Sequence, residues 1–280
     1  MKYQRFLRPG FTPFDPLELA RETEKIVTRE GREGLERKYV GIYSAPVYRG
    51  IATGYAAGCC FRCVYCWSNW SRDYPEKLGK FYSPKELSQK LFQAAENGIT
   101  SPGWEHFRKL KVEKLRLSGC EPTIGKEHLL SVLEYAENSK YSLFILETNG
   151  ILLGADRSYV QKLARFKKLY VRVSFKAANP QDFTQRTGAL GSYYELPFKA
   201  LKHLLNEGID ARAAAMTDAR IMPDKERKLL IEKLSKIDPR ILTEGLEEEK
   251  IDVYDTTVKR LKAFTDPEFA TDLEKVLQRK

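Results

Sequence analysis

Short apolar runs recur through the middle of the chain and predict the strands of one sheet. Each is followed by a segment with helical periodicity, a succession typical of parallel βα units joined by right-handed crossovers. A weaker run near 251–254 is a candidate for a sixth strand. The five clear strands are predicted at residues 51–57, 115–118, 143–147, 169–175 and 209–216.

The segments between these runs predict helices, and several contain recognisable capping signals. Ser83-Pro84-Lys85-Glu86 places an N-cap serine before proline at the first helical position and glutamate at the third, and Asn97-Gly98 ends this helix. Asp156 and Asn179 are suitable N-caps for two more helices. The further helices are predicted at residues 126–138, 156–167, 180–187, 194–206 and 224–236.

The two ends of the chain flank this βα core. Apolar positions on one face predict an amphipathic helix over 16–37, followed by a loop or short hairpin. We therefore expect an N-terminal helical extension at 1–50, the core at 51–220, and a helical region at 221–280 that completes or caps the barrel or recognises a macromolecule. The apolar positions at near-helical spacing in this last region are Leu261, Phe264, Phe269, Leu273 and Val276.

Composition narrows the class of protein. With 280 residues, 42% of them hydrophobic, the chain can bury one substantial core. No apolar run approaches the roughly 18 residues that span a membrane, and the first residues lack the apolar core of a signal peptide. The five cysteines are clustered, unlike a disulfide framework, so we expect a reducing, cytoplasmic location. The net charge of +10 fits either a nucleic-acid partner or ordinary surface solubility.

Four of the five cysteines lie within eight residues, directly after the first predicted strand. Cys59, Cys63 and Cys66 have the spacing Cys-x3-Cys-x2-Cys. Three thiolates on a tight loop can bind three irons of a [4Fe–4S] cluster and leave the fourth iron open to a small molecule. The loop follows a strand's C-terminal end, where βα proteins place their chemistry. This pattern favours a reactive cluster.

Three other interpretations of the cysteines compete with this one. The register that begins at Cys60 is that of ferredoxins, but it requires a fourth cysteine followed by proline, and Trp67 stands after the last cysteine. A zinc site usually adds a second pair of cysteines or spaced histidines, whereas His106, His128 and His203 are isolated. Disulfides suit four such closely spaced cysteines poorly.

Motifs at the successive predicted strand ends resemble those of the radical S-adenosylmethionine (radical SAM) superfamily over about residues 51–220. The second strand leads into Ser118-Gly119-Cys120-Glu121-Pro122-Thr123, similar to the family's Gly-Gly-Glu-Pro motif with Cys120 in place of the second glycine. The third ends in Glu147-Thr148-Asn149-Gly150, similar to the Thr-Asn-Gly of the glycyl-radical activating branch. The fourth ends in Ser174-Phe175-Lys176, where the family contacts its ligand's ribose and carboxylate.

This resemblance implies a fold, two cofactors and a reaction. The fold is α/β, an incomplete TIM-type barrel of five or six parallel βα units. The cofactors are one [4Fe–4S] cluster, held by Cys59, Cys63 and Cys66, and SAM, whose amine and carboxylate chelate the open iron. One electron, delivered by a ferredoxin- or flavodoxin-type reductant, cleaves SAM to a 5′-deoxyadenosyl radical that removes hydrogen from a substrate.

The resemblance also carries over a set of SAM contacts by position. Tyr65 and the backbone around Ala214 and Ala215 would border the adenine. The alternatives are that Tyr65 is only a packed core aromatic and that the two alanines only fill the barrel interior. The other strand-end motifs would contact the methionine and ribose. The alternatives are that Lys176 is a solvated cation and that Glu121 only starts a helix. The complete set is Tyr65, Gly119, Cys120, Glu121, Thr148, Asn149, Ser174, Lys176, Ala214 and Ala215.

Residues after the last cysteine bear on the substrate. The string Cys-Val-Tyr-Cys-Trp resembles the tRNA-wybutosine-synthesising branch, although residues 1–58 lack that branch's further cysteines. Interleaved aromatic and basic residues can stack on bases and hold phosphates, so we favour modification of tRNA or another RNA. A loop that shields the cluster behind a charged rim is the alternative. The residues in question are Trp67, Trp70, Arg72, Tyr74, Lys77, Lys80, Phe81 and Tyr82.

Other functions remain open. Only Cys60 and Cys120 are spare, which excludes a second cluster with four cysteines, and both are expected to be small core residues. A single cluster and the Thr-Asn-Gly motif fit a glycyl-radical activating enzyme, and a small-molecule substrate is a further alternative. A non-catalytic iron–sulfur or zinc module that binds nucleic acid is the rival from a different class.

Overall fold

Residues 3–279, which the computed structural model describes, form nine strands in one sheet and eleven α-helices. The strands are β1 (Thr28–Gly31), β2 (Gly34–Ala45), β3 (Ile51–Ala56), β4 (Lys80–Tyr82), β5 (Lys114–Ser118), β6 (Leu143–Thr148), β7 (Leu169–Phe175), β8 (Asp210–Met216) and β9 (Glu247–Glu249). The helices are α1 (Pro16–Val27), α2 (Pro84–Asn97), α3 (Lys126–Glu137), α4 (Ile151–Ala155), α5 (Arg157–Leu163), α6 (Pro180–Thr187), α7 (Leu196–Asn206), α8 (Asp224–Ser235), α9 (Arg240–Glu244), α10 (Asp255–Thr265) and α11 (Pro267–Arg279).

Six neighbouring strands of the sheet run parallel, in the order β3, β5, β6, β7, β8 and β9. On its other side, β3 pairs antiparallel with β2. Strand β2 also forms a hairpin with β1 and pairs with the short β4. The path of paired strands ends at β1 and at β9, so the barrel is open along one seam. The predicted incomplete βα barrel is confirmed.

The five strands predicted from clear apolar runs are present. The helices between them have the N-caps that the sequence predicted. Ser83 and Glu86 form a capping box at α2, with each side chain accepting from the other residue's main-chain amide, at 3.2 and 2.8 Å. Asn179 caps α6. Asp156 caps α5 and also separates it from the short, unpredicted α4. The predicted helix 156–167 therefore begins as expected but ends at Leu163.

The predicted helix over 16–37 is wrong beyond Val27. The Asp15 side chain caps α1 by accepting from two main-chain amides, and the backbone becomes extended at Thr28. The following hairpin turns at Gly34, whose φ of 96° suits glycine. The hairpin depends on distant contacts, since the buried Arg37 guanidinium on β2 donates to the Glu121 carbonyl at 2.7 Å. The N-terminal region is therefore only partly helical.

The candidate sixth strand near 251–254 is also wrong, because the sixth parallel strand is β9, four residues earlier. Its three glutamates carry no apolar signal. Glu247 and Glu249 share one face of the strand and both pair with Arg172 on β7, at 2.9 and 2.7 Å. Glu248 points to the other face and pairs with Arg227. Charge pairing across the sheet thus holds this strand.

The C-terminal region forms the helices α10 and α11, which pack together, and one of its predicted apolar positions faces outward. Ala270, Leu273 and Leu277 are buried against Phe6 and Tyr74. Val276 is about half exposed, although its spacing predicted an inward position. Within residues 3–279, none of the helices has the length and apolar character needed to cross a membrane.

Close packing of α4 on α7 generates a prediction about stability. A Cβ on Gly154 would lie directly on the Leu196 carbonyl, which is backbone and cannot rotate away. We expect Gly154→Ala to lower the free energy of unfolding by about 1–3 kcal/mol, as overpacking does, measured by chemical denaturation. Gly41→Ala is the control, because its Cβ would meet only a Tyr43 ring carbon at 3.8 Å. Equal effects of the two variants would contradict the packing argument.

Candidate active site

The C-terminal ends of the parallel strands surround one cavity that encloses about 800 Å³, counting its open mouth. Every parallel strand, or the loop that follows it, contributes to the wall. The lining residues are Cys59, Phe61, Cys63, Tyr65, Cys66, Trp67, Ser68, Arg72, Ser118, Gly119, Cys120, Glu147, Thr148, Asn149, Arg172, Ser174, Lys176, Met216 and Glu249.

The structure separates the two cysteine registers. Cys59, Cys63 and Cys66 line the cavity, whereas Cys60 does not. The Cys60 side chain is fully buried behind the loop, with its Sγ 3.2 Å from Nδ2 of Asn149. In residues 3–279 no three Cys, His, Asp or Glu side chains converge as ligands of a single metal ion. A cubane cluster sets a different requirement, because each of its three thiolates binds its own iron.

The buried cysteines have distinct electrostatic environments. A hydrogen bond with Cys60 lowers the pKa of Cys59, and the Phe61 amide, 3.4 Å from the Cys59 sulfur, adds to the effect. Burial raises the pKa of Cys60 well above its ordinary value, and the neighbouring Cys59 raises it further. Burial raises the pKa of Cys63 to about 12. Of Cys59 and Cys60, only Cys59 lines the cavity, so its position makes it the candidate ligand.

Gly119 and Cys120 both have left-handed backbone conformations, with φ values of 74° and 46°. Gly119 needs to be glycine for a second reason, because a Cβ there would lie 2.7 Å from the Tyr55 ring. Cys120 carries a side chain in a conformation that favours glycine, so its backbone is strained. Its thiol lines the cavity 3.6 Å from the Ser71 hydroxyl, and burial raises its pKa to about 12.

Glu121 is not part of the cavity wall. Its fully buried carboxylate accepts hydrogen bonds from the hydroxyls of Thr123 (2.5 Å) and Thr148 (2.7 Å) and from the Asn149 amide (2.8 Å). The Asn149 side chain reaches onward to the cysteine loop. Glu121 therefore ties the end of β5 to the end of β6, and its contact with the methionine end of SAM stays a prediction.

Of the remaining predicted SAM contacts, some line the cavity and others lie outside it. Ser174 and Lys176 line the cavity, with the Lys176 ammonium 2.9 Å from the Ser174 hydroxyl. Ala214 and Ala215 are fully buried on β8 and do not line it, whereas the next residue, Met216, does. Tyr65 lines the cavity, and its buried hydroxyl has no hydrogen-bond partner among the described residues.

Charged groups in the barrel interior were missed by the sequence analysis. Glu147 on β6 accepts from Tyr48 (2.9 Å), Arg116 (3.2 Å) and Ser118. Glu249 faces the cations of Lys176 and Arg172, and although burial raises its pKa, these cations bring the net value below the ordinary one. The sequence feature that could have revealed these groups is a single charged residue within an apolar strand, as in Leu146-Glu147-Thr148 and Val171-Arg172-Val173. Such residues face a polar interior.

The aromatic and basic residues after the cluster loop, which were predicted to contact nucleic acid, are only partly exposed. Arg72 and Tyr74 are almost fully buried, at 1% and 2% exposure. Phe81 packs beneath the guanidinium of Arg29, and the Lys77 ammonium donates to the last carbonyls of α11. Trp70 contacts the Arg260 guanidinium, and Trp67 is about half exposed. The last two members, Lys80 and Tyr82, lie in β4.

An open parallel βα sheet with three cysteines and polar strand ends around one cavity defines a cofactor-dependent enzyme class. The family model described as "Radical SAM superfamily" matches residues 55–234, so the chain belongs to the radical SAM superfamily. Its members are enzymes that use a [4Fe–4S] cluster and SAM. The predictions of the family, of an enzyme and of these two cofactors are confirmed at this level.

Several solved structures are similar to the chain. SuiB of Streptococcus suis bound to S-adenosylmethionine has 16% identity and a TM-score of 0.48 over 79% of this chain and 46% of that one. TYW1 with a lysine-pyruvate adduct bound has 14% identity and a TM-score of 0.48 over 82% and 73%. The chain thus spans about half the length of SuiB. Curated proteins give no match by sequence.

The position of Cys60 behind the loop generates a prediction about the cluster ligands. We expect Cys59→Ser to lose most of the iron and sulfide bound after anaerobic reconstitution, because a cavity-lining thiolate is removed. Cys60→Ser is the matched control and should keep nearly the wild-type content, because Cys60 lies outside the cavity. Iron and sulfide analysis with absorption spectra measures both. The opposite result would mean that the ligand register begins at Cys60.

The hydrogen bonds of Glu121 generate a prediction about its role. Glu121→Gln would place an amide group opposite donors that now point at a carboxylate. We expect the apoprotein to lose about 1–3 kcal/mol of unfolding free energy, measured by chemical denaturation. Glu127→Gln, on the exposed side of α3, should have almost no effect. A role in binding SAM alone would instead leave the stability of the apoprotein unchanged.

Proposed function

We propose that this chain reductively cleaves SAM in the cavity at the strand ends and uses the product to remove a hydrogen atom from an organic substrate. The observation that carries the proposal is that Cys59, Cys63 and Cys66 line the same cavity as Gly119, Thr148, Asn149, Ser174 and Lys176. The ends of three strands, β5, β6 and β7, therefore supply polar groups to the cavity that the three thiols line.

The donor set fits the two cofactors. Cys59, Cys63 and Cys66 would hold the cluster, and the main chain at Gly119 together with Ser174 and Lys176 would hold SAM. Bound there, cluster and SAM supply the one-electron cleavage that yields a 5′-deoxyadenosyl radical. The unpartnered Tyr65 hydroxyl offers one donor and acceptor for the ligand.

The chain's own residues orient the ligand and limit its contact with water. Lys176 and Ser174 present a cation and a hydroxyl side by side, suited to a carboxylate and a ribose. Phe61, Met216 and the Trp67 ring supply apolar wall between the polar groups. A reactive radical requires such a shielded wall, because water and exposed side chains would otherwise compete with the substrate.

The open seam of the barrel offers the substrate a path to this cavity. A second cavity, here called the seam vestibule, has residues from β2 and β3 on one side and Tyr254, which follows β9, on the other. Trp67 lines both cavities, and its ring lies 5.9 Å from Tyr55 and 6.3 Å from Tyr254. The vestibule lining carries no charged side chain: Val40, Gly41, Tyr43, Tyr55, Trp67, Asn69 and Tyr254.

These aromatic rings favour a substrate that presents a planar, uncharged group to the seam. A nucleobase satisfies this requirement, so RNA modification remains a candidate, supported now by the vestibule and the net charge of +10. The loop after the cysteines gives it less support than the sequence suggested, because Arg72 and Tyr74 are buried and only Trp67, Lys77 and Lys80 of the set are exposed. An activating role toward a glycyl-radical protein keeps only the Thr-Asn-Gly motif as support. A ferredoxin- or flavodoxin-type reductant in the cytoplasm completes the proposal.

Anaerobic reconstitution tests the reaction directly. We expect a [4Fe–4S] signal that changes when SAM is added, and release of 5′-deoxyadenosine and methionine after reduction with dithionite. The Cys59→Ser variant serves as the inactive control. A zinc-loaded, colourless protein that leaves SAM intact would contradict the proposal and favour a non-catalytic module. Nucleoside profiles of tRNA and rRNA with and without the gene then test the RNA substrate, and identical profiles would exclude it.

A further inference from the structure

Each of the three cavity-lining cysteines of the loop has its main-chain carbonyl held by a different arginine. These arginines are buried, with 0 to 1% of their surface exposed. Arg62 and Arg72 belong to the loop and the segment just after it, whereas Arg260 lies on α10, far along the chain. The pairs, measured from guanidinium Nη1 to carbonyl oxygen, are Arg62 with Cys59 (2.7 Å), Arg72 with Cys63 (2.6 Å) and Arg260 with Cys66 (2.6 Å).

Helix α10 supplies most of the support at the end of the loop. Arg260 also donates to the carbonyls of Ser68 (2.5 Å) and Asn69 (3.0 Å). The Thr256 hydroxyl, one turn earlier on α10, donates to the Trp67 carbonyl at 3.2 Å. Two side chains of one helix therefore satisfy four consecutive carbonyls, from Cys66 to Asn69. A helix 190 residues away in the sequence thus fixes the path of the chain beside a cluster ligand.

Asp73 joins two of these arginines into a charged triad. One carboxylate oxygen accepts from Arg72 at 2.5 Å, and the other accepts from Arg260 at 2.5 Å. Burial raises the pKa of Asp73, but Arg260 and Arg72 lower it more, so it lies below the ordinary value and the carboxylate is charged. Two guanidiniums and one carboxylate leave a net charge of one positive unit beside the cysteine loop.

We propose that Arg260 is a positioning residue of the cluster site and that the Arg72–Asp73–Arg260 triad raises the cluster's reduction potential. The inference rests on the proposed function, because it requires the cluster to bind at Cys59, Cys63 and Cys66. Reduction adds negative charge to the cluster, and a net positive group nearby favours the reduced form. The carbonyl hydrogen bonds act separately, since they keep the Cys66 end of the loop in its binding conformation.

Two substitutions change the triad's charge in opposite directions. Arg260→Gln lowers the net charge from one positive unit to zero, and Asp73→Asn raises it to two. We expect the midpoint potential, measured by redox titration followed by electron paramagnetic resonance, to become more negative in the first variant and more positive in the second. A purely structural role would disturb the cluster in the same direction in both. Lys259→Gln, an exposed neighbour on α10 paired with Asp255, is the control and should not shift it.

The apoprotein supplies an independent measurement. In Arg260→Gln we expect faster amide hydrogen exchange within residues 66–73, whether or not a cluster is bound, and wild-type exchange in Lys259→Gln. Unchanged exchange together with an unchanged potential would overturn this inference while leaving the proposed function intact. A wild-type chain that assembles no [4Fe–4S] cluster would overturn both proposals, which distinguishes the two failures.

Discussion

The requirement that buried peptide carbonyls be hydrogen-bonded governs this site. To present three thiols to one cavity, the chain from Cys59 to Asn69 adopts neither a helix nor a strand, so its carbonyls lack the partners that regular structure provides. An unsatisfied buried carbonyl costs about 1–3 kcal/mol. Arginine meets this need efficiently, because one guanidinium carries five N–H donors. The buried guanidiniums around the loop follow from this constraint.

That constraint makes both ends of the chain part of the site. The guanidinium of Arg62 bridges the Cys59 carbonyl and the Gln4 carbonyl, at 2.7 and 2.5 Å, so the N-terminal segment closes one side of the loop. Helix α10 closes the other side through Arg260. Regions that looked like an extension and a cap in the sequence are thus supports of the cysteine loop.

The features predictable from sequence were those encoded locally. The capping box at Ser83 and the apolar strands depend on neighbouring residues, and both were recognised. The hairpin after Val27 and strand β9 depend on partners far along the chain, Glu121 and Arg172, which no local pattern reveals. The same limit explains the loop after the cysteines, since composition does not distinguish a solvent-exposed arginine from the buried Arg72.

Cys120 shows how far the surroundings can override a local preference. A non-glycine residue at φ 46° costs on the order of 1–3 kcal/mol. The strain persists because both neighbours are fixed: Gly119 is packed against the Tyr55 ring, and the Glu121 amide donates to the Gly58 carbonyl at 3.0 Å. With the backbone held on each side, the thiol is directed into the cavity beside the other cysteines. A glycine here would relieve the strain but widen the cavity, so this side chain helps to shape the space around the ligand.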